Sequence, residues 1–179
     1  MRLHRYERAF TLIELLVVLL IMSIFFGLSF AEFRDFQRRQ RIESVTRSIL
    51  QDMQQAKSDA FVGKKPTAAE GCTESFLGYR FDLVNLGGGG RGYEIFALCG
   101  ADFDDNNPQK ISEKVVTLPD GIRVTTPGGS AYVDFFALAE GASWQGSGST
   151  KNFTVSDSIS TDFELVVVVT SGGSVYAQD

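Results

Sequence analysis

Hydrophobic and polar positions divide the chain into three regimes. From Phe10 to Ala31 the pattern is a block of twenty-two residues in which Glu14 is the sole charge. As a helix rising ~1.5 Å per residue the block would extend roughly 33 Å, enough to cross a bilayer core of about 30 Å. From Glu32 to Val62 the block gives way to a periodic stripe. Ile42, Val45, Ile49, Met53, Ala56 and Ala60 recur at steps of three or four, the spacing of one face of an amphipathic helix. No Gly or Pro interrupts the chain between Leu28 and Val62, whereas Gly63, Lys64, Lys65 and Pro66 together form a stop. Unbroken, this helix would run from Phe10 to Val62. Beyond it the pattern shortens into runs rich in Val, Phe, Tyr and Thr. Strands are expected at 76–84, 93–99, 114–118, 122–126, 131–138, 151–155, 163–170 and 174–177. "VVVVTSGGSVYA" (166–177) reads as a hairpin turning at Gly172-Gly173, and its doubly apolar strand as a central one. The expected class is α+β: a long N-terminal helix, membrane-spanning in its first half and amphipathic in its second, packed on a C-terminal antiparallel β-sheet or small β-sandwich.

Charge adds direction. Arg2, Arg5 and Arg8 precede the apolar block against Glu7 alone, so the N-terminus is expected on the cytoplasmic side and the residues after the block outside. The formal net charge is −5 over 179 residues, a balance that argues against a general nucleic-acid binder. Residues 64–179 carry eight Lys/Arg against fifteen Asp/Glu, a net of −7, and only Lys151 is basic beyond residue 123. The sole histidine, His4, lies ahead of the block. A chain trimmed of its first residues would therefore lack histidine for triad catalysis or zinc ligation. Cys72 and Cys99 stand too far apart for a C-x-x-C pair. In an exported domain they are expected as one structural disulfide; in the cytosol they would be two buried thiols.

Glu14 poses the chemical problem. A carboxylate at membrane depth costs about 2.5–3.5 kcal/mol on insertion scales, and no basic side chain lies within the block. Cutting the chain between Ala9 and Phe10 would supply a partner, because the new amino group lies one helical turn from Glu14. The pair could form within one chain or between staggered neighbours, as buried polar residues fix register elsewhere. Two other readings of the block remain open: a plain signal-anchor, and a removable secretory signal cleaved after Ser29-Phe30-Ala31, for which the apolar core is long.

"RAFTLIELLVVLLIMSI" (8–24) resembles the class III leader and N-terminal helix of type IV pilins and type II secretion pseudopilins. The resemblance implies a leader at 1–9, a transmembrane and filament-core helix at 10–31, its amphipathic continuation at 32–62 and an exported β-rich domain at 63–179. It implies cleavage after Ala9 by a prepilin peptidase, N-methylation of Phe10, and pairing of Glu14 with a neighbouring subunit during assembly. Two positions depart from the family: Ala9 stands where glycine is preferred before the cut, and Ala31 where many relatives carry a kinking proline. Gly27 is then the expected place for any loosening of the helix. "QQAKSDAF" (54–61) is similar to a segment of the GspH/FimT-like minor pilin branch. The partners implied are prepilin peptidase, other pilin or pseudopilin subunits, an inner-membrane assembly platform and the lipid bilayer. The implied location is the inner membrane, single-pass, with the globular domain periplasmic or extracellular. The alternative is a membrane-anchored or secreted β-rich binding protein without a filament role. No nucleophile–base pair or cofactor loop is evident, so no enzyme is expected.

Two loops complete the reading. "LGGGGRG" (86–92) lacks the Lys-Ser/Thr ending of a phosphate-binding loop and reads as a hairpin connection. "DFDDNNPQKISE" (102–113) places Asp102, Asp104, Asn106 and Glu113 at the ligand spacing of a twelve-residue calcium loop, with Asn107 where glycine belongs. The other reading is an exposed acidic turn held by Asx hydrogen bonds.

Overall fold

A computed structural model describes residues 11–66, 72, 75–86, 90–100, 109–127, 131–139, 141–145, 147–159 and 163–178, with the side chains of 28–32, 85, 86 and 90 left aside. One helix, α1, runs from Leu12 to Phe61. The chain divides into two compact units, Met1–Arg39 and Gln40–Asp179. The first unit is described as helix alone. In the second, the periodic stripe becomes the helix's packing face: Ile42, Ile49, Met53, Ala56 and Ala60 are at most 3 % exposed and Val45 is 9 % exposed. The helix ends as its terminal residues dictate. Gly63 N–H donates to Ala60 O (2.9 Å) and Lys64 N–H to Asp59 O (2.9 Å), the paired bonds of a Schellman cap. Gly63 takes the left-handed φ of 66° that this cap needs.

The strands form two antiparallel sheets. The five-stranded sheet runs β3 (Gln109–Thr117), β2 (Gly90–Cys99), β1 (Phe76–Leu86), β5 (Tyr132–Phe136), β6 (Ala142–Ser143). The four-stranded sheet runs β4 (Ile122–Thr125), β7 (Thr150–Asp157), β8 (Glu164–Thr170), β9 (Val175–Gln178). Alternation sends Tyr79, Phe81, Tyr93, Ile95, Val133 and Phe135 from the larger sheet into one core. There they meet Phe153, Val155, Leu165, Val167 and Val169 of the smaller sheet and the helix stripe. Phe81 joins the layers, stacking on Tyr93 (centroids 4.9 Å) and meeting Phe153 edge-on (5.4 Å). At Gly78, where β1 shifts register against β2, φ is 153° and a Cβ would fall 2.0 Å from Phe135 O. No side chain fits there, so β1 and β5 can approach.

The hairpin at the chain's end is present, with β8 central between β7 and β9 and Gly173 N–H donating to Thr170 O (2.8 Å). Two strand assignments change. β3 begins at Gln109, five residues before the expected start. Its first half, "QKISE", is an edge strand buried only at Ile111, so its polar composition reads as loop. β6 is two residues long and too short to leave a pattern.

Candidate functional site

At the N-terminal end of α1, Thr11 precedes the helix and Glu14 occupies its third position. Glu14 N–H donates to Thr11 O (3.1 Å) and to Thr11 Oγ1 (3.4 Å). Thr-x-x-Glu is the sequence of a capping box, in which the hydroxyl satisfies an orphan helix donor. Thr11 is therefore the functional residue that the sequence reasoning passed over, though the capping pattern was there to find. It fixes the helix start at Leu12 and holds Glu14 in the first turn, where a helix's partial positive charge favours a carboxylate. Ala9 and Phe10 lie outside the described residues.

Around and beyond Glu14 the helix is apolar on every side. Thirteen large hydrophobic side chains between Leu12 and Phe26 are each at least 44 % exposed. A surface apolar all round is suited to lipid or to other helices, not to water. The one hydroxyl in this stretch, on Ser23, donates back to Leu19 O (2.8 Å) and so carries no unmet polar demand into an apolar surrounding. Among the described residues no helix is long and apolar enough to cross a membrane. The stretch with described side chains ends at Gly27; its sixteen residues reach ~24 Å at 1.5 Å per residue, short of the span computed for the whole sequence block. Phe33 and Phe36 continue the exposed apolar surface, at 55 % and 57 %.

In the globular unit the helix is anchored by polar contacts as well as by its stripe. Asp52 accepts from Tyr93 Oη–H (2.7 Å) and from Lys114 Nζ (2.7 Å). Burial first, then the bond to Asp52, pushes the Tyr93 phenol above its ordinary value. Tyr79 Oη–H donates to Lys64 O just past the cap (3.1 Å). Burial, followed by the charges of Glu113 and Asp59, raises its phenol to about 12. Cys72 and Cys99 form a disulfide, Cα atoms 5.5 Å apart, tying the end of β2 to the segment after the helix. Of the calcium-spaced residues, Asp102, Asp104 and Asn106 lie outside the described residues. Glu113 sits in β3 at a register shift against β2, near Asp52, Lys64 and Lys114. Among the described residues no three His, Cys, Asp or Glu side chains come together as a metal set.

The outward face of the five-stranded sheet carries a buried ion pair. Arg80 and Asp134 are direct cross-strand partners; Nε meets Oδ1 at 2.5 Å and Nη2 meets Oδ2 at 2.7 Å, a two-pronged contact between ionised groups. The guanidinium also lies 4.0 Å from the centroid of Tyr132.

Compared with known proteins, residues 4–30 match the family described as the Prokaryotic N-terminal methylation motif. No curated protein and no solved structure matches the chain. The match spans the bond between Ala9 and Phe10 and includes Glu14. It supports a pilin-type precursor of the kind a prepilin peptidase processes, with membrane anchoring through the leader helix.

Proposed function

We propose that the protein is a non-enzymatic filament subunit, a minor pseudopilin of a type IV pilus or type II secretion system. Prepilin peptidase removes residues 1–9 and methylates the amine of Phe10, and the α1 helix then carries the subunit into the filament. The chain sits N-in in the inner membrane beforehand, with its β unit on the far side, and a helix on two sheets fits the GspH/FimT-like branch. The observation that carries the reading is the methylation motif at 4–30 coinciding with a helix whose apolar side chains face outward on all sides. Glu14 supplies the mechanism. Thr11 holds it in the first helical turn, four residues after Phe10 in the sequence. An α-ammonium there, on the same chain or on a neighbour shifted along the axis, neutralises a carboxylate that would otherwise cost about 2.5–3.5 kcal/mol in apolar surroundings.

Co-expression with an active prepilin peptidase, followed by mass spectrometry of the mature N-terminus, tests this. A chain beginning at N-methylated Phe10 is expected. A chain retaining Met1, or one beginning at Glu32, would refute the reading and leave a tethered β-rich binding protein. Glu14→Gln should be processed and inserted as before yet fail to enter filaments.

A further inference from the structure

We propose that the globular unit binds a small organic dianion, two carboxylates on a short aliphatic body, in a cavity between the stem of the β1–β2 hairpin and β4. The cavity holds about 390 Å³, at the small end of the ~300–1,000 Å³ typical of binding pockets. Its base is apolar: Leu118 is buried, and Leu83 and Val124 are partly buried against the core. Its rim is cationic, because Arg91 and Arg123 both line the cavity and both are exposed. Each arginine stands on a paired strand. Arg91 is paired with Asn85 in the β1–β2 ladder, and its carbonyl accepts from Leu118 N–H (2.9 Å). Arg123 is paired with Ser156 in the β4–β7 ladder. The backbone under both guanidiniums is therefore fixed before a ligand arrives, which lowers the cost of binding and sharpens its selectivity.

The two charges are uncompensated. Among the described residues that line the cavity none is acidic, and among the described residues neither guanidinium makes an ion pair or a side-chain hydrogen bond. The chain that joins the walls brings no carboxylate: residues 85–90 and 127–130 are Asn, Leu, Gly, Pro and Ser alone. A second cavity, of about 170 Å³ beside α1, shows the opposite arrangement. There Asp52, Asp59 and Glu113 share the lining with Lys64, Lys65 and Lys114, and Lys64 pairs with Asp59 and Lys114 with Asp52. Two unengaged guanidiniums above an apolar base favour an anion that satisfies both. Each fork matches one carboxylate in a two-pronged contact, and the base covers the methylenes between them. A long polyanion such as nucleic acid is disfavoured, because residues 64–179 carry a net charge of −7 and repel like charge that extends beyond the cavity.

The test uses the nitrogen-15-labelled full chain in non-ionic detergent micelles and its amide spectrum. The probes are the straight-chain dicarboxylates from succinate to suberate. Hexanoate, adipamide and inorganic phosphate are the comparisons. At least one dicarboxylate should shift the amides of Leu83, Arg91, Leu118 and Val124 to saturation and bind at least about ten-fold more tightly than hexanoate or adipamide. Arg91→Gln and Arg123→Gln should each reduce that dicarboxylate to the level of hexanoate; both side chains are exposed, and each variant's own spectrum reports that it is folded. No saturable shift with any dicarboxylate would overturn the proposal, as would hexanoate binding equally tightly. Phosphate binding as tightly as the best dicarboxylate would reduce the site to a simple anion contact in which the apolar base has no part. Binding unchanged in both variants would remove the arginines from it. None of these outcomes depends on processing at Phe10, so the cavity's ligand and the filament role stand or fall separately.

Discussion

Removing Asp134 should destabilise the globular unit far more than removing the whole ion pair it belongs to. Its carboxylate side chain is 7 % exposed and the Arg80 guanidinium 15 %, so both charges have left water. Replacing Asp134 with Leu leaves a guanidinium that cannot lose its proton with only the weaker attraction of Tyr132 and Asp82. Breaking one partner of a buried pair costs about 3–5 kcal/mol. The residual exposure of Arg80 and its contact with Tyr132 favour the lower end, about 3 kcal/mol. In a domain of this size that lowers Tm by about 6–12 °C. Replacing both residues, Arg80→Met with Asp134→Leu, removes the stranded charge and should fall within about 1 kcal/mol of the parent, the remainder being the lost cation–π contact. The single variant Arg80→Met should be milder than Asp134→Leu and should recover in acid. Burial already pushes the Asp134 carboxyl above its ordinary value against the opposing pull of Arg80, and without Arg80 only the weaker pull of Lys110 opposes that push. A carboxyl whose folded pKa lies above its unfolded one binds its proton first in the folded state, so stability rises as pH falls through the folded value. Thermal unfolding of the full chain in micelles, followed by near-ultraviolet circular dichroism at pH 7 and pH 5, measures all four corners. A double variant as unstable as the sum of the two singles would refute the argument.

Two further outcomes follow from groups at the helix–sheet junction. Tyr79→Phe should cost about 1 kcal/mol at pH 8, the worth of its bond to Lys64 O. That order should reverse above roughly pH 11: a phenol raised to about 12 from an unfolded value near 10 adds stability that is complete below pH 10 and is lost as pH climbs through 12, by ~1.4 kcal/mol per unit. Urea midpoints at pH 8 and pH 11 check it, and a gap of unchanged sign would count against the burial of this hydroxyl. Replacing Cys72 and Cys99 with Ser opens a loop of 27 residues and should lower stability by about 3–4 kcal/mol on the chain-entropy account; equal denaturant midpoints for the reduced and oxidised protein would rule out that contribution.

The helix was legible because its two signals are both periodic and long. Each stripe residue from Ile42 to Ala60 is buried, and Gly63 caps the end, since helical burial repeats through many turns and leaves a redundant record. The central strand β8 was legible for a similar reason: Val166–Val169 is apolar on both faces, and Val167, Val168 and Val169 are all buried. β3 was half hidden because an edge strand needs only one buried residue in its first half. The cavity that Arg91 and Arg123 both line left no sequence signal, because these residues are 32 positions apart and only the fold brings them to one cavity. The capping role of Thr11 is the opposite case: a four-residue pattern, visible in the sequence, that the neighbouring glutamate overshadowed.

The separation of burial along α1 gives the proposed assembly its energetic shape. Among the described residues the helix's contributions to the core begin at Ile42, while the large apolar side chains from Leu12 to Phe26 are exposed. Leaving a bilayer for a bundle of like helices exchanges one apolar environment for another, and hydrophobic burial supplies little drive because lipid tails are as apolar as leucine. What differs between the two states is the fate of the one carboxylate. In lipid Glu14 must be paired locally or protonated, whereas beside a staggered neighbour it meets a second chain's ammonium group. Where Glu14 lacks a local partner in lipid, the difference reaches at most about 2.5–3.5 kcal/mol at that residue, a factor of up to ~60–300 in an equilibrium constant at ~1.4 kcal/mol per ten-fold. On this account the register and direction of assembly rest on a single side chain, and Glu14→Gln, which keeps the shape and the polarity but not the charge, should abolish incorporation while leaving the melting temperature of the β unit unchanged. A Glu14→Gln chain that entered filaments at the parent's level would show that packing of the apolar helix, and not charge neutralisation, drives the process.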